Sequence, residues 1–426
     1  MNTILSCSCT CHPEPLAKPF GFKGGALTEL WQVACRLVDS ASHSAIGLSV
    51  QSVLWSDAAV FAGLGQEKGN RLMLSMTRHA LSLLKNRPLT RPDIMLEELI
   101  PDVWEYGRRE SGYEGLRLTF VLNALTPVDW ALWQLYAKSQ GCFQLARLAS
   151  PITSALTKRQ PCLGNIPLVS YGTSREEIRR LSDEGAFLYK IKIGSAPGGS
   201  SDPDDMLRWD SQRLLEVHSL VSEYSTPHTE CGHPVYYLDA NGRYDTVERV
   251  ERLLDFADRH HILERILLLE EPFPEDRLQN AASIPVPVVA DESAHSAEDA
   301  GRLIEGYGYR AMALKPIAKT LSVTLQVLET ASRHAVPCFC ADLTVNPAMT
   351  EYNKAVAARL PLLPRLKCGV MESNGAQNYL RWDQMVLNDP SAGESWALPK
   401  DGLYILDEDF YKNDGGIWRD IHAYRP

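Results

Sequence analysis

The stretch FLYKIKIG, residues 187–194, decides the fold class of this chain. Its apolar and β-branched residues predict a buried strand, yet the strand contains two lysines. Lys190 and Lys192 are two residues apart, so both side chains point to the same face of a strand. Because a buried strand rarely carries unpaired charge, we expect both ammonium groups to lie in a polar site where the strand ends.

Similar strand-like runs recur from about residue 165 onward, where short apolar runs alternate with longer amphipathic stretches. The runs predicted as strands are 166–172, 187–194, 235–241, 266–272, 286–293, 309–316, 335–342 and 368–374. Helical patterns lie between several of them, for example at 174–185, 246–260 and 320–335. Near-continuous apolar runs are typical of parallel strands buried on both faces. The pattern therefore favours an α/β fold with a parallel β/α barrel, with a doubly wound open sheet as the alternative.

The N-terminal part of the chain has a different hydropathy pattern. Residues 30–39 (LWQVACRLVD) alternate as a strand does, and residues 72–86 (LMLSMTRHALSLLKN) have a helical period. This mixture predicts an α+β lobe at 1–150, followed by a barrel at 151–375. The segment 376–426 is rich in turn residues, and we expect it to return to the N-terminal lobe.

Composition and charge disfavour several classes of protein. The 426 residues carry a net charge of −10, and no run of Lys and Arg with interleaved aromatic residues is present, which argues against nucleic acid as a partner. No segment of membrane-spanning length is continuously apolar, so no membrane partner is expected. The first residues lack the basic and apolar regions of a signal peptide, so a cytoplasmic location is expected.

The ten cysteines are scattered, which favours reduced thiols. Cys7, Cys9, Cys11 and His12 form a cluster that could bind a soft metal. The cluster lacks a second ligand pair at the spacing of a zinc site, so a disordered terminus is the favoured interpretation.

Charged and amide side chains close most of the predicted strands. In chain order from the second run they are Lys190 with Lys192, Asp239 with Asn241, Glu270 with Glu271, Asp291 with Glu292, Lys315, Asp342, and Glu372. A strand end that merely leaves the core would also be polar. However, a series of such residues at successive strand ends is typical of an active site at the C-terminal face of a barrel.

The chemistry of these residues predicts a metal site. Asp239, Glu270 and Asp291 would repel one another unless a cation lay among them, and hard oxygen ligands favour Mg²⁺. The lysines lie on the second and sixth runs, which are opposite one another in an eight-stranded ring. A lysine near a divalent cation can have its pKa lowered enough to serve as a base.

This combination of motifs resembles the enolase superfamily, in its muconate lactonizing enzyme-like subgroup. The resemblance extends from about residue 120 onward, and it includes VDWALWQLYAK (128–138) and DGLYILDEDFY (401–411). The motifs that carry it are K-x-K at Lys190 and Lys192, D-x-N at Asp239 and Asn241, E-E-P at Glu270, D-E-S at Asp291 and L-K-P at Lys315.

The resemblance implies a modified TIM barrel of the (β/α)₇β type, with an α+β N-terminal capping domain that the C-terminal tail completes. It also implies removal of the proton α to a carboxylate, with Mg²⁺ holding the enediolate. The implied metal ligands are Asp239, Glu270 and Asp291. Lys192 and Lys315 would be the acid/base pair, and Lys190 an electrostatic helper.

Two departures narrow the expected reaction. Lys315 stands where the mandelate racemase-like subgroup has an Asp paired with a His of the next strand, and the run that ends at Asp342 contains no His near its end. Acid-sugar dehydration is therefore disfavoured. Dipeptide epimerases of the lysine subgroup carry D-x-D on the eighth strand, where this chain has Glu372 and Asn374, so specificity for dipeptides stays open.

Substrate contacts are expected from strand ends and from the capping loops. The predicted residues are Asn241, Asp342, Glu372 and Asn374, with Phe20, Phe22 and Lys23 of 19–26 and Trp55 of 52–57. For the aromatic residues, ordinary packing is the alternative. The expected reaction is racemisation or epimerisation of an amino-acid derivative or dipeptide, with a syn-dehydratase or cycloisomerase next and a non-enzymatic metal-binding scaffold least favoured. The expected partner is a small-molecule carboxylate, and a homo-oligomer is compatible with the sequence.

Overall fold

The computed structural model describes residues 2–22, 25–196, 198, 200, 202–421 and 424. The strands of this part of the chain are β1 Ile4–Phe22, β2 Gly25–Asp39, β3 Ser44–Gln51, β4 Cys162–Ile166, β5 Leu168–Val169, β6 Leu188–Lys192, β7 Val235–Asp239, β8 Ile266–Glu270, β9 Val288–Ala290, β10 Ala311–Leu314, β11 Cys338–Cys340, β12 Gly369–Glu372 and β13 Leu403–Ile405.

The α-helices of the same residues are α1 Val53–Ser56, α2 Ala58–Leu84, α3 Pro92–Ser111, α4 Leu118–Gln140, α5 Leu145–Ala149, α6 Arg175–Asp183, α7 Pro203–Val221, α8 Val247–Arg259, α9 Ala297–Tyr307, α10 Leu321–Arg333, α11 Pro347–Ala357, α12 Gly375–Asn378, α13 Trp382–Leu387 and α14 Glu408–Asn413. Short 3₁₀ helices occur at Leu263–Arg265, Glu275–Arg277 and Asp414–Gly416. None of the described helices is both long and apolar enough to cross a membrane.

The N-terminal lobe is an antiparallel sheet, β1–β2–β3, covered by α2 and α4, and α3 packs against both of these helices. Helix α4 is almost entirely buried because it lies between this sheet and the barrel. The sheet approaches α4 closely at Gly47, where a Cβ atom would lie 2.1 Å from the carbonyl oxygen of Pro127. On the other side, the Trp133 indole donates a hydrogen bond to Ser322 Oγ of α10 at 3.0 Å. The predicted α+β lobe is therefore present and packs against the barrel.

The expected disordered N-terminus is wrong, because residues 4–22 form the paired strand β1. Cys7, Cys9 and Cys11 alternate along this strand and share one face, whereas His12 faces the other way and its ring contacts Tyr424. Strand geometry thus separates His12 from the thiols, and the one metal-type cluster found among the described residues lies elsewhere.

Strands β4 to β12 form a parallel barrel that closes on itself. In the described residues the sheet order is β13-β4-β12-β11-β10-β9-β8-β7-β6-β5. Strands β4 and β5 are separated only by Pro167, whose carbonyl accepts a hydrogen bond from the Lys190 amide at 3.0 Å. Strand β4 pairs with β12 on one side, and β5 pairs with β6 on the other. Together β4 and β5 are the first strand of the ring, β6 is the second and β12 is the last.

The barrel interior is apolar below its C-terminal mouth. A separate cluster of buried side chains fills it, including Leu188, Tyr237, Leu268, Val289 and Phe339. Each of these residues lies two or three positions before a charged residue at the mouth. Side chains that alternate along a strand therefore place the charged residues directly above an apolar core.

The connection between β8 and β9 differs from the others. Its regular structure in the described residues is the 3₁₀ turn Glu275–Arg277, whereas α-helices connect the other neighbouring strands of the ring. Four prolines occur between residues 272 and 287, and proline lacks the amide proton that a helix interior requires.

The C-terminal segment contacts both parts of the chain. Strand β13 pairs antiparallel with β4 of the barrel. The amide of Leu380 donates to Pro15 O of β1 at 3.1 Å, and Lys138 of α4 pairs with Asp420 at 2.8 Å. The predicted return to the N-terminal lobe therefore has a structural counterpart, while domain boundaries at residues 150 and 375 stay predictions.

Candidate active site

Three acidic residues predicted as metal ligands lie at the C-terminal ends of neighbouring strands. Asp239 ends β7 and Glu270 ends β8, and the strand register makes them direct neighbours. Asp291 directly follows β9, and all three side chains are buried. Buried carboxylates repel one another and lose hydration, so this arrangement requires positive charge close by.

Lys190 lies at the centre of this acidic group. Its Nζ atom is 3.0 Å from Asp239 Oδ2, 2.9 Å from Glu270 Oε2 and 3.1 Å from Glu372 Oε2. Burial would lower the pKa of Lys190, but the three carboxylates outweigh burial and raise the pKa well above its usual value. Lys190 is therefore a fixed positive charge.

Lys192 belongs to a hydrogen-bonded chain along the mouth. Its Nζ donates to Asp239 Oδ2 at 2.6 Å and to Asn241 Oδ1 at 2.6 Å. The Asn241 amide nitrogen donates to Glu292 Oε1 at 3.0 Å. Asn241 has a left-handed backbone conformation (φ 45°), which turns its side chain back toward the strand ends. This chain holds the Lys192 ammonium in one position.

Lys315 follows β10 and lies across the ring from Lys192. Its Nζ is 2.5 Å from Asp291 Oδ2 and 4.5 Å from the centre of the Trp55 ring. Burial would lower the pKa of Lys315, but Asp291 and other nearby acids outweigh burial and raise it. The lowered pKa that the sequence predicts for a lysine beside a divalent cation stays a prediction.

Lys319 is a site residue that the sequence analysis does not identify. It is buried, its Nζ lies 3.3 Å from Asp291 Oδ1, and it donates to the carbonyls of Asp291 and Ala294. Its only sequence signal is a position four residues after Lys315, in the turn before α10. Its contacts show that it holds Asp291 in place.

The seventh and eighth strands contribute a second acidic group. The Asn374 amide donates to Asp342 Oδ2 at 2.8 Å, and the Asp342 amide donates to Glu372 Oε2 at 3.0 Å. Burial, and then the charge of Glu372, raise the pKa of Asp342 to about 7. Asp342 Oδ1 is buried and accepts no hydrogen bond from the described residues. This oxygen is therefore available to a ligand.

One cavity joins most of the predicted residues. Its lining is Phe20, Leu27, Leu30, Ser52, Trp55, Leu168, Lys190, Lys192, Asp239, Asn241, Asp291, Lys315, Asp342, Leu343, Thr344, Glu372 and Asn374. Glu270 lies beside this set through Lys190 rather than on the lining. Lys23 and the side chain of Phe22 lie outside the described residues. The apolar residues at 27, 30, 168 and 343 and the hydroxyls at 52 and 344 are not identified by the sequence analysis, since nothing local marks them.

A family comparison identifies this arrangement. Residues 173–391 match the model of the family described as Enolase C-terminal domain-like. The chain belongs to the enolase superfamily. The matched region contains the lysine and carboxylate motifs that carry the resemblance in the sequence.

Relatives of this enolase-superfamily chain include several epimerases. It is 25% identical over 303 residues to an L-Ala-D/L-amino acid epimerase of Populus trichocarpa, covering 68% of this chain and 59% of that relative's length. A dipeptide epimerase from Cytophaga hutchinsonii, solved with Mg and D-Ala-L-Val, superposes with TM-score 0.64 at 16% identity, covering 88% of each chain. A muconate lactonizing enzyme from Klebsiella pneumoniae superposes with TM-score 0.61 at 17% identity, covering 95% and 94%. The solved structures establish a shared fold.

The acidic group of this superfamily member fits a divalent cation. Oxygens of Glu270, Asp291 and Glu292 all lie within 4.8 Å of one another. Glu270 Oε1 is buried and accepts no hydrogen bond within the described chain, which is the state of a carboxylate oxygen suited to a cation. The set that lies together includes Glu292, to which the sequence analysis assigns no metal role. Asp239, a predicted ligand, instead directs its carboxylate toward Lys190 and Lys192.

Two neighbouring carboxylates of the site, Glu270 and Asp239, have pKa values shifted in opposite directions. Burial raises the pKa of Glu270 to about 7, because Lys190 compensates it only in part. Burial also acts on Asp239, but Lys190 and Lys192 together outweigh it and lower the pKa of Asp239 to about 2. Charge compensation is thus stronger at Asp239 than at Glu270, so additional positive charge beside Glu270 would stabilise the site.

Proposed function

We propose that this chain is a Mg²⁺-dependent racemase or epimerase that removes the proton α to a carboxylate and returns a proton to the opposite face. The observation that carries the proposal is the placement of Lys192 and Lys315 on opposite sides of one buried cavity. Proton removal from one face and delivery to the other requires two such groups. The polar mouth and apolar floor of the cavity suit a small carboxylate substrate.

Asp239, Glu270 and Asp291 would hold the Mg²⁺ ion, with Glu292 adjacent. Their oxygen donors match the preference of this hard cation. When bound, the ion supplies positive charge that stabilises the electrons left on the substrate carboxylate once the α-proton has gone. It would also compensate the carboxylates that raise the pKa of Lys315.

The chain's own residues transfer the proton and orient the groups that transfer it. Lys192 or Lys315, whichever is neutral, takes the proton from its face of Cα, and the protonated partner donates from the other face. Asn241 and Asp239 orient Lys192, while Trp55 and Asp291 orient Lys315. Each ammonium is held by at least one oxygen at 2.5 to 2.6 Å, so its direction is set before substrate enters.

The substrate class we propose is an amino-acid derivative or a dipeptide. The buried oxygen of Asp342 that lacks a donor among the described residues, with Glu372 beside it, favours a ligand that carries a positive charge or N–H groups. The epimerases among the relatives are named for alanyl and dipeptide substrates. A substrate ammonium at Asp342 would place the α-carbon between the lysines and the carboxylate near the acidic group.

The test is incubation in D₂O with Mg²⁺ and a panel of dipeptides and N-acylated amino acids. We expect deuterium at Cα and inversion of configuration. NMR measures the deuterium, and chiral chromatography measures the inversion. The same lysines could serve syn-elimination or cycloisomerisation, in which one lysine acts as base and the other as a stabilising cation. Loss of water, or ring formation without Cα exchange, would assign that alternative reaction. Mg²⁺ binding without turnover of any member, unchanged by Lys192→Ala, would favour a scaffold.

A further inference from the structure

Two cysteines lie side by side at the N-terminal end of the barrel, opposite the lysines. Cys162 is the first residue of β4, and Cys368 directly precedes β12. These strands are parallel neighbours at the seam where the ring closes, with Leu163 opposite Gly369. Cys162 and Cys368 are therefore the next pair along the same register. Neighbouring strands are about 4.7–4.9 Å apart, within the Cα spacing of about 4.4–6.8 Å that a disulfide spans.

The two thiols share a face of the sheet. Cys368 belongs to the apolar cluster inside the barrel, and Cys162 packs against the same cluster. Ile166 and Val370, each an even number of residues further along its strand, also point inward. Both thiols are free, and the register makes Cys162 and Cys368 cross-strand neighbours on one face of the sheet. Cys162 is also partly exposed to solvent.

This proximity changes the reactivity of Cys162. The neighbouring Cys368 thiol stabilises the Cys162 thiolate more than burial disfavours it, which lowers the pKa of Cys162 to about 7. By contrast, burial raises the pKa of Cys338, a thiol of β11, to about 12. Because the thiolate is the nucleophile in disulfide exchange, Cys162 is activated while Cys338 is inert.

We propose that Cys162 and Cys368 are a redox modification site, at which a low-molecular-weight disulfide of the glutathione class forms a reversible disulfide staple between the first and last strands of the ring. The Cys162 thiolate attacks one sulfur of the oxidant and expels one thiol. Cys368 then loses its proton, attacks the Cys162 sulfur of the mixed disulfide and expels the second thiol. Two protein thiols are oxidised, and one oxidant disulfide is reduced to two thiols.

The staple would act on stability rather than on catalysis. It would join residues that are far apart in sequence and close the barrel seam covalently, which restricts the unfolded chain strongly. Both cysteines lie at the end of the barrel away from Lys192 and Lys315, so the geometry of the lysines should be unchanged. In another cross-strand pair, Cys9 and Cys35, the Cys35 thiol is fully buried, and burial raises its pKa.

The experiment treats the native full-length protein with oxidised glutathione, blocks free thiols with N-ethylmaleimide and maps disulfides by mass spectrometry of non-reduced digests. We expect a peptide that links Cys162 to Cys368, lost on treatment with dithiothreitol and absent from Cys368→Ser. Cys9→Ser is the matched control and should keep the link. Oxidation should raise the melting temperature of the wild type by about 3–5 °C and leave that of Cys368→Ser unchanged.

Three results would overturn the proposal. The first is complete N-ethylmaleimide labelling of both cysteines, and the second is a glutathione adduct on Cys162 that never resolves into the linked peptide. The third is a link that forms only in denaturant, since the native register would then not be its cause. The mapping uses wild-type protein, so it remains decisive even if a serine variant fails to fold.

Discussion

Lys192 ends the second strand of the barrel ring and Lys315 directly follows the sixth, so three strands of the ring separate them in either direction when β4 and β5 count as one. Each lysine therefore faces one side of a substrate held between them. We expect Lys192→Ala to abolish interconversion of stereoisomers and to slow α-proton exchange from one stereoisomer by about 10²-fold or more. Exchange from the other stereoisomer, which faces Lys315, should persist. NMR in D₂O, started separately from each stereoisomer, measures both rates.

Lys315→Ala provides the matched comparison, and it should give the reverse preference. If both variants lost exchange equally from both stereoisomers, the lysines would not act on separate faces. The two-base mechanism would then be wrong, although the fold would be unaffected.

Removal of the divalent cation should destabilise the native state. Binding that is specific to the folded chain adds about 2.7 kcal/mol at a hundredfold excess over Kd, so Mg²⁺ should raise the melting temperature by a few degrees. Glu270→Gln should lose most of this shift, because it removes the charge of a buried oxygen that has no donor in the described chain. Thermal denaturation with Mg²⁺ or EDTA measures it.

Glu264→Gln is the matched control, since Glu264 is exposed just before the opposite end of the same strand. The rise in its melting temperature with Mg²⁺ should equal that of the wild type. If Glu270→Gln showed the same rise, the cation would bind somewhere other than the barrel mouth.

Much of the site is readable from the sequence because parallel strands bring their C-terminal residues to one edge. A buried run that ends in Asp239 or Glu270 places the carboxylate at the C-terminal edge of the strand. Lys190, Lys192 and Lys315 are predictable in the same way, because charge inside an apolar run requires a partner. Period-2 alternation and the order of the strands place these residues at the barrel mouth, whereas their chemical roles stay predictions.

Other residues depended on tertiary structure that no local pattern records. Lys319 reaches Asp291 only because a turn after β10 folds back over the preceding strand end. Leu27 and Leu30 line the cavity because the β1–β2 hairpin leans over the barrel. The disordered N-terminus that the sequence predicts is wrong, because pairing with β2 orders this segment as a strand.

Asp342→Asn tests the proposed recognition of a substrate ammonium. The change keeps shape and removes charge, and the Asn374 amide can still donate to the remaining oxygen. We expect KM for a dipeptide with a free ammonium group to rise about 10-fold or more, because a charge-assisted hydrogen bond contributes about 1.5–3 kcal/mol. For the N-acetylated form of that dipeptide, KM should change little. Steady-state kinetics on the pair measures the difference, and equal effects on both substrates would contradict ammonium recognition.

An acid-dependent contribution to stability should arise where the N-terminal lobe meets the barrel. Glu275, in the β8–β9 connection, pairs with Arg117 at the start of α4 and with His295. Burial would raise the pKa of Glu275, but His295 and Arg117 outweigh it and lower the pKa to about 2. A lowered pKa in the folded state means that the stabilisation is present above about pH 4.5 and is lost as the pH falls toward 2.

Glu275→Gln should therefore lower the free energy of unfolding by about 1–2 kcal/mol at neutral pH, a value reduced for partial exposure of the pair. The difference from the wild type should shrink as the pH falls from 4.5 toward 3, as measured by urea denaturation. Asp276→Asn is the control, since the side chain of Asp276 is 79% exposed and its substitution should have little effect at any pH. A difference that stayed constant down to pH 3 would mean that Glu275 acts through packing rather than through its charge.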